Sequence, residues 1–188
     1  GFSERSVEKE LDFAIDGDAL KIARLVAQKL NGAFFPLDES RGTGRIIIED
    51  QSERFVIDFA QLRGETLAED LAARDFTLNA MALTLAPQTR LFDPMGGQED
   101  LKTRLIRQCS SSAFSDDPVR VLRAVRLAAQ FNFHVERLTR DAAREAASLL
   151  PNVSAERIRD EFMRMLEGRK PAASIKALDM LGALKHII

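Results

Sequence analysis

The sequence predicts an α+β fold, with a small mixed sheet and helices in its first part and an all-helical continuation behind it. Two observations lead there. Runs of strand length, rich in Val, Ile and Phe, cluster before residue 60. From about residue 110 onward, only apolar patterns at helical spacing remain. A chain of 188 residues is long enough for one generous domain or one and a half modest ones. With 45% hydrophobic and 30% charged residues, neither disorder nor a membrane span fits the composition.

Taken in order, residues 11–15 read as a short strand. Residues 18–30 read as a helix, with Leu20, Ala23, Ala27 and Leu30 on one face and Asn31-Gly32 as its stop signal. Residues 33–37, 44–49 and 54–59 read as strands, the last two joined by the polar turn Asp50-Gln51-Ser52. Residues 66–73 look like a short helix, and a second short helix is expected around 78–83. Leu91-Phe92 then leads into the turn Asp93-Pro94-Met95-Gly96-Gly97. Helices are expected over 117–131, 139–149, 155–166 and 172–181. Ser154 is placed to cap the third of these, and Pro151, Gly168 and Pro171 punctuate the boundaries. The phenylalanines Phe13, Phe34, Phe35, Phe55 and Phe59 are expected in the core.

The single cysteine, Cys109, cannot form an internal disulfide, and it makes no zinc site with the two isolated histidines, His134 and His186. No signal-peptide pattern opens the chain, so a reducing cytoplasmic location is expected. The net charge of −2 conceals an asymmetry. Residues 1–100 carry 11 Lys+Arg against 19 Asp+Glu, whereas residues 101–188 carry 16 against 10. An acidic half suits bound cations and a basic half suits a polyanion, although two solvated surfaces of unlike charge account for the same numbers.

Acids in strands carry the first chemical signal. Glu10-Leu11-Asp12 places two carboxylates at i and i+2, which strand geometry sends to one face. Asp58 interrupts the apolar run Phe55-Val56-Ile57-Asp58-Phe59, where an unpaired acid is rare. If the strands are neighbours, three carboxylates share a surface, and like charges so close call for a cation. Hard oxygen donors favour Mg²⁺ or Mn²⁺, as in two-metal phosphoryl transfer. A solvated strand face remains the alternative for Glu10 and Asp12.

Several stretches together resemble the bacterial-type (class II) tRNA nucleotidyltransferase and poly(A) polymerase family. Glu69-Asp70-Leu71-Ala72-Ala73-Arg74-Asp75-Phe76-Thr77-Leu78-Asn79-Ala80 is similar to the family's Arg-Arg-Asp-Phe-Thr-Ile-Asn-Ala motif, with Ala73 in place of the first arginine. Asp93-Pro94-Met95-Gly96-Gly97 is similar to its Asp-Pro-x-Gly-Gly hinge. Asp116-Asp117-Pro118-Val119-Arg120 resembles its acid-Asp-x-x-Arg nucleotide-reading helix, and Arg157-Ile158-Arg159-Asp160-Glu161 its Arg-Ile-Arg-x-Glu segment. The motifs occur in the family's order and cover most of the chain.

The resemblance implies a nucleotidyltransferase palm over 1–109 and a helical, base-reading and RNA-binding neck over 110–188. It implies catalytic and metal-binding roles for Glu10, Asp12 and Asp58, with Mg²⁺ as cofactor. Glu10 stands where the family has aspartate. It further implies that Arg74, Asp75 and Asn79 contact the ribose and phosphates of the nucleotide, and that Asp117 and Arg120 read its base, with Arg123 continuing their spacing. ATP, CTP and the 3′ end of tRNA or another RNA are the implied partners. At i and i+3 on a helix, an acid and an arginine share a side, and they complement the donor beside an acceptor on C or A. A plain intrahelical salt bridge worth ~0.3–0.5 kcal/mol is the alternative.

The family carries a Gly-Gly-x-Val-Arg-Asp segment before its metal strand. Only Gly1-Phe2-Ser3-Glu4-Arg5-Ser6 precedes it here, so the chain is expected to be part of a longer protein. The reaction expected is addition of C, A or both to an RNA 3′ end. A small-molecule adenylyltransferase and a catalytically decayed RNA-binding module are the rivals, and the same Asp–Arg pair suits CCA, CC, A and poly(A) products alike.

Overall fold

The computed structural model describes residues 7–50, 53–85 and 88–188. Residues 1–70 and 71–188 form two compact units.

The first unit is built on strand β1 (Val7–Ile15), helix α1 (Ala19–Leu30) and strands β2 (Ala33–Asp38), β3 (Thr43–Asp50) and β4 (Glu53–Gln61). The sheet order is β1-β4-β3-β2, with β1 parallel to β4 and the other pairs antiparallel. The first strand is thus longer than the sequence pattern suggests. Gln51 and Ser52, two residues of the expected turn, lie outside the described residues, as do residues 1–6.

Helix α1 starts where the Asp18 carboxylate accepts the Lys21 N–H at 2.9 Å, and it stops at Asn31 in the left-handed conformation. Ala19, Ala23 and Ala27 are the residues it buries. These small side chains let the helix lie close on Ile46, Ile57 and Phe59, with Phe13 stacked on Phe59 at 5.2 Å. Two sequence expectations fail here. Leu30 is half exposed because the buried stripe runs through Ala19 rather than Leu30. Phe35 is 46% exposed because it pairs with Arg45 on the sheet face turned away from the helix.

The chain enters the second unit within α2 (Leu67–Ala72). The short helix expected around 78–83 is instead a 3₁₀ turn, Thr77–Asn79, followed by strand β5 (Ala82–Thr84), which pairs antiparallel with β6 (Arg90–Phe92). After α3 (Gly97–Thr103) come the two-residue strand β7 (Leu105–Ile106), the single helical turn α4 (Ala113–Asp116) and helix α5 (Arg120–Phe131). Strand β8 (His134–Val135) then pairs parallel with β7, so the region after residue 110 is not wholly helical. Asn132 ends α5 in the left-handed conformation, and the extended residues that follow are held by backbone bonds to Arg104 and Ile106.

Helices α6 (Arg137–Ala146), α7 (Ala155–Leu166) and α8 (Pro171–Met180) complete the unit. A 3₁₀ stretch carrying Pro151 follows α6. Ser154 occupies the first capping position of α7 without a side-chain capping bond. The core gathers Phe76, Ile106, Phe114, Val121, Leu122, Val125, Leu150, Met165 and Leu178. Each such side chain contributes about 1.5–3 kcal/mol when fully removed from water.

The two hinge glycines are required for different reasons. Gly96 adopts φ +75°, a conformation L side chains rarely take. Gly97 opens α3 directly against the Thr77 carbonyl, where a Cβ would collide with backbone. Asp93 fixes the turn by accepting the N–H groups of Gly97 at 2.7 Å and Gln98 at 2.9 Å. Among the described residues, no helix is long and apolar enough to cross a membrane.

Candidate functional site

In the first unit the strand register lines up the acids. Asp12 lies opposite Asp58 across the parallel β1–β4 pair, and Arg45 lies opposite Asp58 across β3–β4. Arg45, Asp58 and Asp12 therefore form one row across three adjacent strands, with Glu10 two residues along β1 from Asp12. This face is opposite to the one that packs on α1. Glu10 and Asp12 are exposed. Asp58 is not: Arg45 Nε donates to its Oδ1 and Nη2 to its Oδ2, both at 2.7 Å, in a two-pronged pair. The hydrogen bond to Asp58 raises the Arg45 pKa most. Partial burial opposes that shift, and the negative charges of Asp58, Glu10 and Asp12 add to it.

The sequence-predicted carboxylates thus share a face. Among the described residues, however, no three His, Cys, Asp or Glu side chains gather into a ready cluster of metal ligands. The donor chemistry fits a hard divalent ion at Glu10 and Asp12, and Asp58 could turn both of its oxygens to that ion only by releasing Arg45.

In the second unit a polar network surrounds the 73–79 segment. Asp75 is only 7% exposed. Its Oδ2 accepts from Arg123 Nε at 2.8 Å and Nη2 at 2.6 Å, and its Oδ1 accepts from the Phe76 N–H at 2.8 Å and Asn79 Nδ2 at 3.2 Å. Burial pushes its carboxyl up, but the charge and hydrogen bonds of Arg123, with those from Asn79 and Phe76, outweigh it. The result lies below the usual carboxylate range. Arg123 also reaches Glu161, a buried acid that takes a 2.6 Å bond from Arg126 Nε and a longer one from Arg164. Arg74 donates to the Asn79 carbonyl at 3.4 Å. The Cys109 thiol is pushed up to about 12 by burial and by Asp75, which makes it unreactive.

The expected pairing of Asp117 with Arg120 on one helix is corrected. Asp117 is extended (φ −150°, ψ 93°) and precedes α5, because Pro118 disfavours helical backbone in the residue before it. Its Oδ2 accepts from Arg157 Nη2 at 2.6 Å. Its Oδ1 is buried and has no hydrogen-bond partner among the described residues. The Arg120 guanidinium donates instead to the carbonyls of Ala73 at 2.9 Å, Ala113 at 3.1 Å and Arg74 at 3.4 Å, tying α5 to the 73–74 segment. Sequence reasoning gave no role to Arg45, Arg157 or Glu161. Arg157 and Glu161 belong to the Arg-Ile-Arg-x-Glu segment, while Arg45 carries no signal beyond its place in an apolar strand.

The family profile "Poly A polymerase head domain" matches residues 3–107, and "Probable RNA and SrmB- binding site of polymerase A" matches residues 132–188. The chain is 43% identical over 158 residues to a CC-adding tRNA nucleotidyltransferase of Geobacter sulfurreducens, covering 84% of this chain and 36% of that protein. It is 40% identical over 167 residues to an A-adding tRNA nucleotidyltransferase of Deinococcus radiodurans, covering 86% and 37%. The chain therefore spans little more than a third of the length of these relatives. Among solved structures, the Thermotoga maritima CCA-adding enzyme complexed with tRNA superposes with a TM-score of 0.83 at 34% identity, covering 93% of this chain and 42% of that one. A CCA-adding enzyme complexed with CTP gives 0.84 at 33%, covering 94% and 44%. With more than half of its residues matched by the head-domain profile, the chain belongs to the poly A polymerase head-domain family.

Proposed function

We propose that this chain carries the catalytic core of a template-independent RNA nucleotidyltransferase, which adds C, A or both to the 3′ end of tRNA. The observation that carries the reading is Asp117 Oδ1, a buried carboxylate oxygen with no hydrogen-bond partner among the described residues. Leaving such an acceptor unsatisfied costs about 1–3 kcal/mol, more for a charged group, so it suits a ligand that brings a donor. The exocyclic amine of C or A is such a donor. Similarity to CC-adding and A-adding relatives supports the same reading.

In this reading residues 1–109 form the palm and residues 110–188 the neck, in keeping with profile matches over 3–107 and 132–188. Nucleotidyltransferases of this family generally use divalent metal ions, and here Mg²⁺ would be held by Glu10 and Asp12, with Asp58 as the third carboxylate once it turns from Arg45. When bound, it supplies charge neutralisation for the triphosphate and a more acidic 3′-hydroxyl. The hydroxyl attacks the α-phosphate in line and pyrophosphate leaves.

Asp117 accepts from the base amine while Arg157 holds its other oxygen. Arg120 donates to the adjacent ring acceptor after exchanging a backbone carbonyl for it. Asp75 keeps Arg123 and Asn79 in place, and Arg74, Asp75 and Asn79 line the ribose and phosphates. A single cysteine with a high pKa suits work in the reducing cytoplasm.

The test is extension of tRNA lacking the whole CCA end, or only its terminal A, with labelled CTP or ATP and Mg²⁺. Extension by this chain, lost in Asp12→Asn, is expected. Tight tRNA binding without extension would identify an RNA-binding module instead, and transfer of AMP only to small molecules would identify the other rival.

A further inference from the structure

On the open face of the sheet, the third carboxylate is already engaged. Each oxygen of Asp58 accepts one bond from the fork of Arg45, which takes the two inner lone pairs of the carboxylate, the edge with which it would chelate a cation. Yet Asp58 sits between two neighbours at equal strand spacing. Arg45 is on one side and Asp12 on the other, each directly opposite it in register. Neighbouring strands lie about 4.7–4.9 Å apart. A rotation about the Asp58 side-chain bonds therefore suffices to move its carboxylate from one neighbour to the other.

The row is also wet enough for exchange. The Arg45 side chain is 40% exposed and that of Asp58 25%, so parting them strands no buried charge. Without a cation, three acids on one face repel, and Arg45 is the basic group the fold places in their row.

We infer that Arg45 is an exchangeable counter-ion, which pairs with Asp58 until a divalent ion enters between Glu10 and Asp12 and then yields it. The inference rests on the metal reading above and deepens it, making Arg45 a positioning residue that acts through Asp58. It follows that Arg45 competes with the metal, so that removing it strengthens metal binding.

Direct Mn²⁺ binding, read from loss of the free-ion EPR signal with neither nucleotide nor RNA present, separates the possibilities. Arg45→Gln should bind Mn²⁺ about three- to tenfold more tightly than the wild type, the range expected for releasing a half-exposed ion pair. In an Asp58→Asn background the same substitution should change affinity little, because the effect travels through Asp58. Arg45→Lys, which keeps the charge and guards against a folding defect, should lie between wild type and Arg45→Gln. Unchanged or weaker binding in Arg45→Gln would overturn the inference, as would equal tightening with and without Asp58. Unaltered Mn²⁺ binding in Asp12→Asn would instead remove the metal reading beneath it.

Discussion

Replacing Asp75 by asparagine tests the network at the centre of the second unit. The native carboxylate collects four hydrogen bonds, two of them from Arg123 at 2.6 and 2.8 Å. Asparagine preserves the shape but turns an NH₂ group either toward Arg123 or toward the Phe76 and Asn79 donors, so at least two bonds fail. Breaking a buried charge pair by removing one partner costs ~3–5 kcal/mol. Here the Arg123 side chain is 32% exposed and keeps Glu161, which lowers the expected loss to about 2–3 kcal/mol. For a chain of this length that is roughly 5–10 °C in Tm.

The pH dependence has a definite sign. The folded carboxyl lies below its unfolded value of ~3.9, so its contribution is fully present above that value and is lost as pH falls through the folded pKa. Urea denaturation of wild type and Asp75→Asn should therefore show a constant gap from pH 8 to about pH 5, closing below about pH 4. A gap under about 1 kcal/mol at pH 7, or one that widens on acidification, would refute the argument.

Two further outcomes are expected. Arg120→Ala should blur discrimination between ATP and GTP more than it slows turnover, measured as the ratio of their kcat/KM values; unchanged selectivity would remove the base-reading role. Gly97→Ala places a methyl group on the Thr77 carbonyl and should cost about 1–3 kcal/mol by overpacking, read as an earlier denaturation midpoint, whereas Gly96→Ala is penalised through its positive φ alone.

Much of the fold is visible in the sequence because short-range rules settle it. Asp18 and Asn31 bracket α1, alternation marks β3 and β4, and a proline begins α8. The failures arise where distant partners decide. His134–Val135 becomes a strand because residues 105–106 offer it a partner, and no local pattern contains that fact. Pro118 was visible, and its effect on the backbone of Asp117 follows from elementary sterics. The choice of Arg157, forty residues on, over Arg120, three residues on, does not.

The acids show the same division most clearly. An aspartate inside an apolar strand announces that it has a partner, and Asp58 does so in any reading of residues 55–59. The kind of partner depends on register. Alternation places Glu10 and Asp12 on one face, but only the pairing of β4 with both β1 and β3 puts Asp58 on that face, with Asp12 to one side and Arg45 to the other. A cation and a guanidinium answer the same electrostatic need, so the sequence signal fits both. The fold supplies Arg45 within the chain and leaves Glu10 and Asp12 open. A carboxylate flanked by a positive charge on one side and an exposed acidic pair on the other is the arrangement that lets one side chain serve two partners in turn.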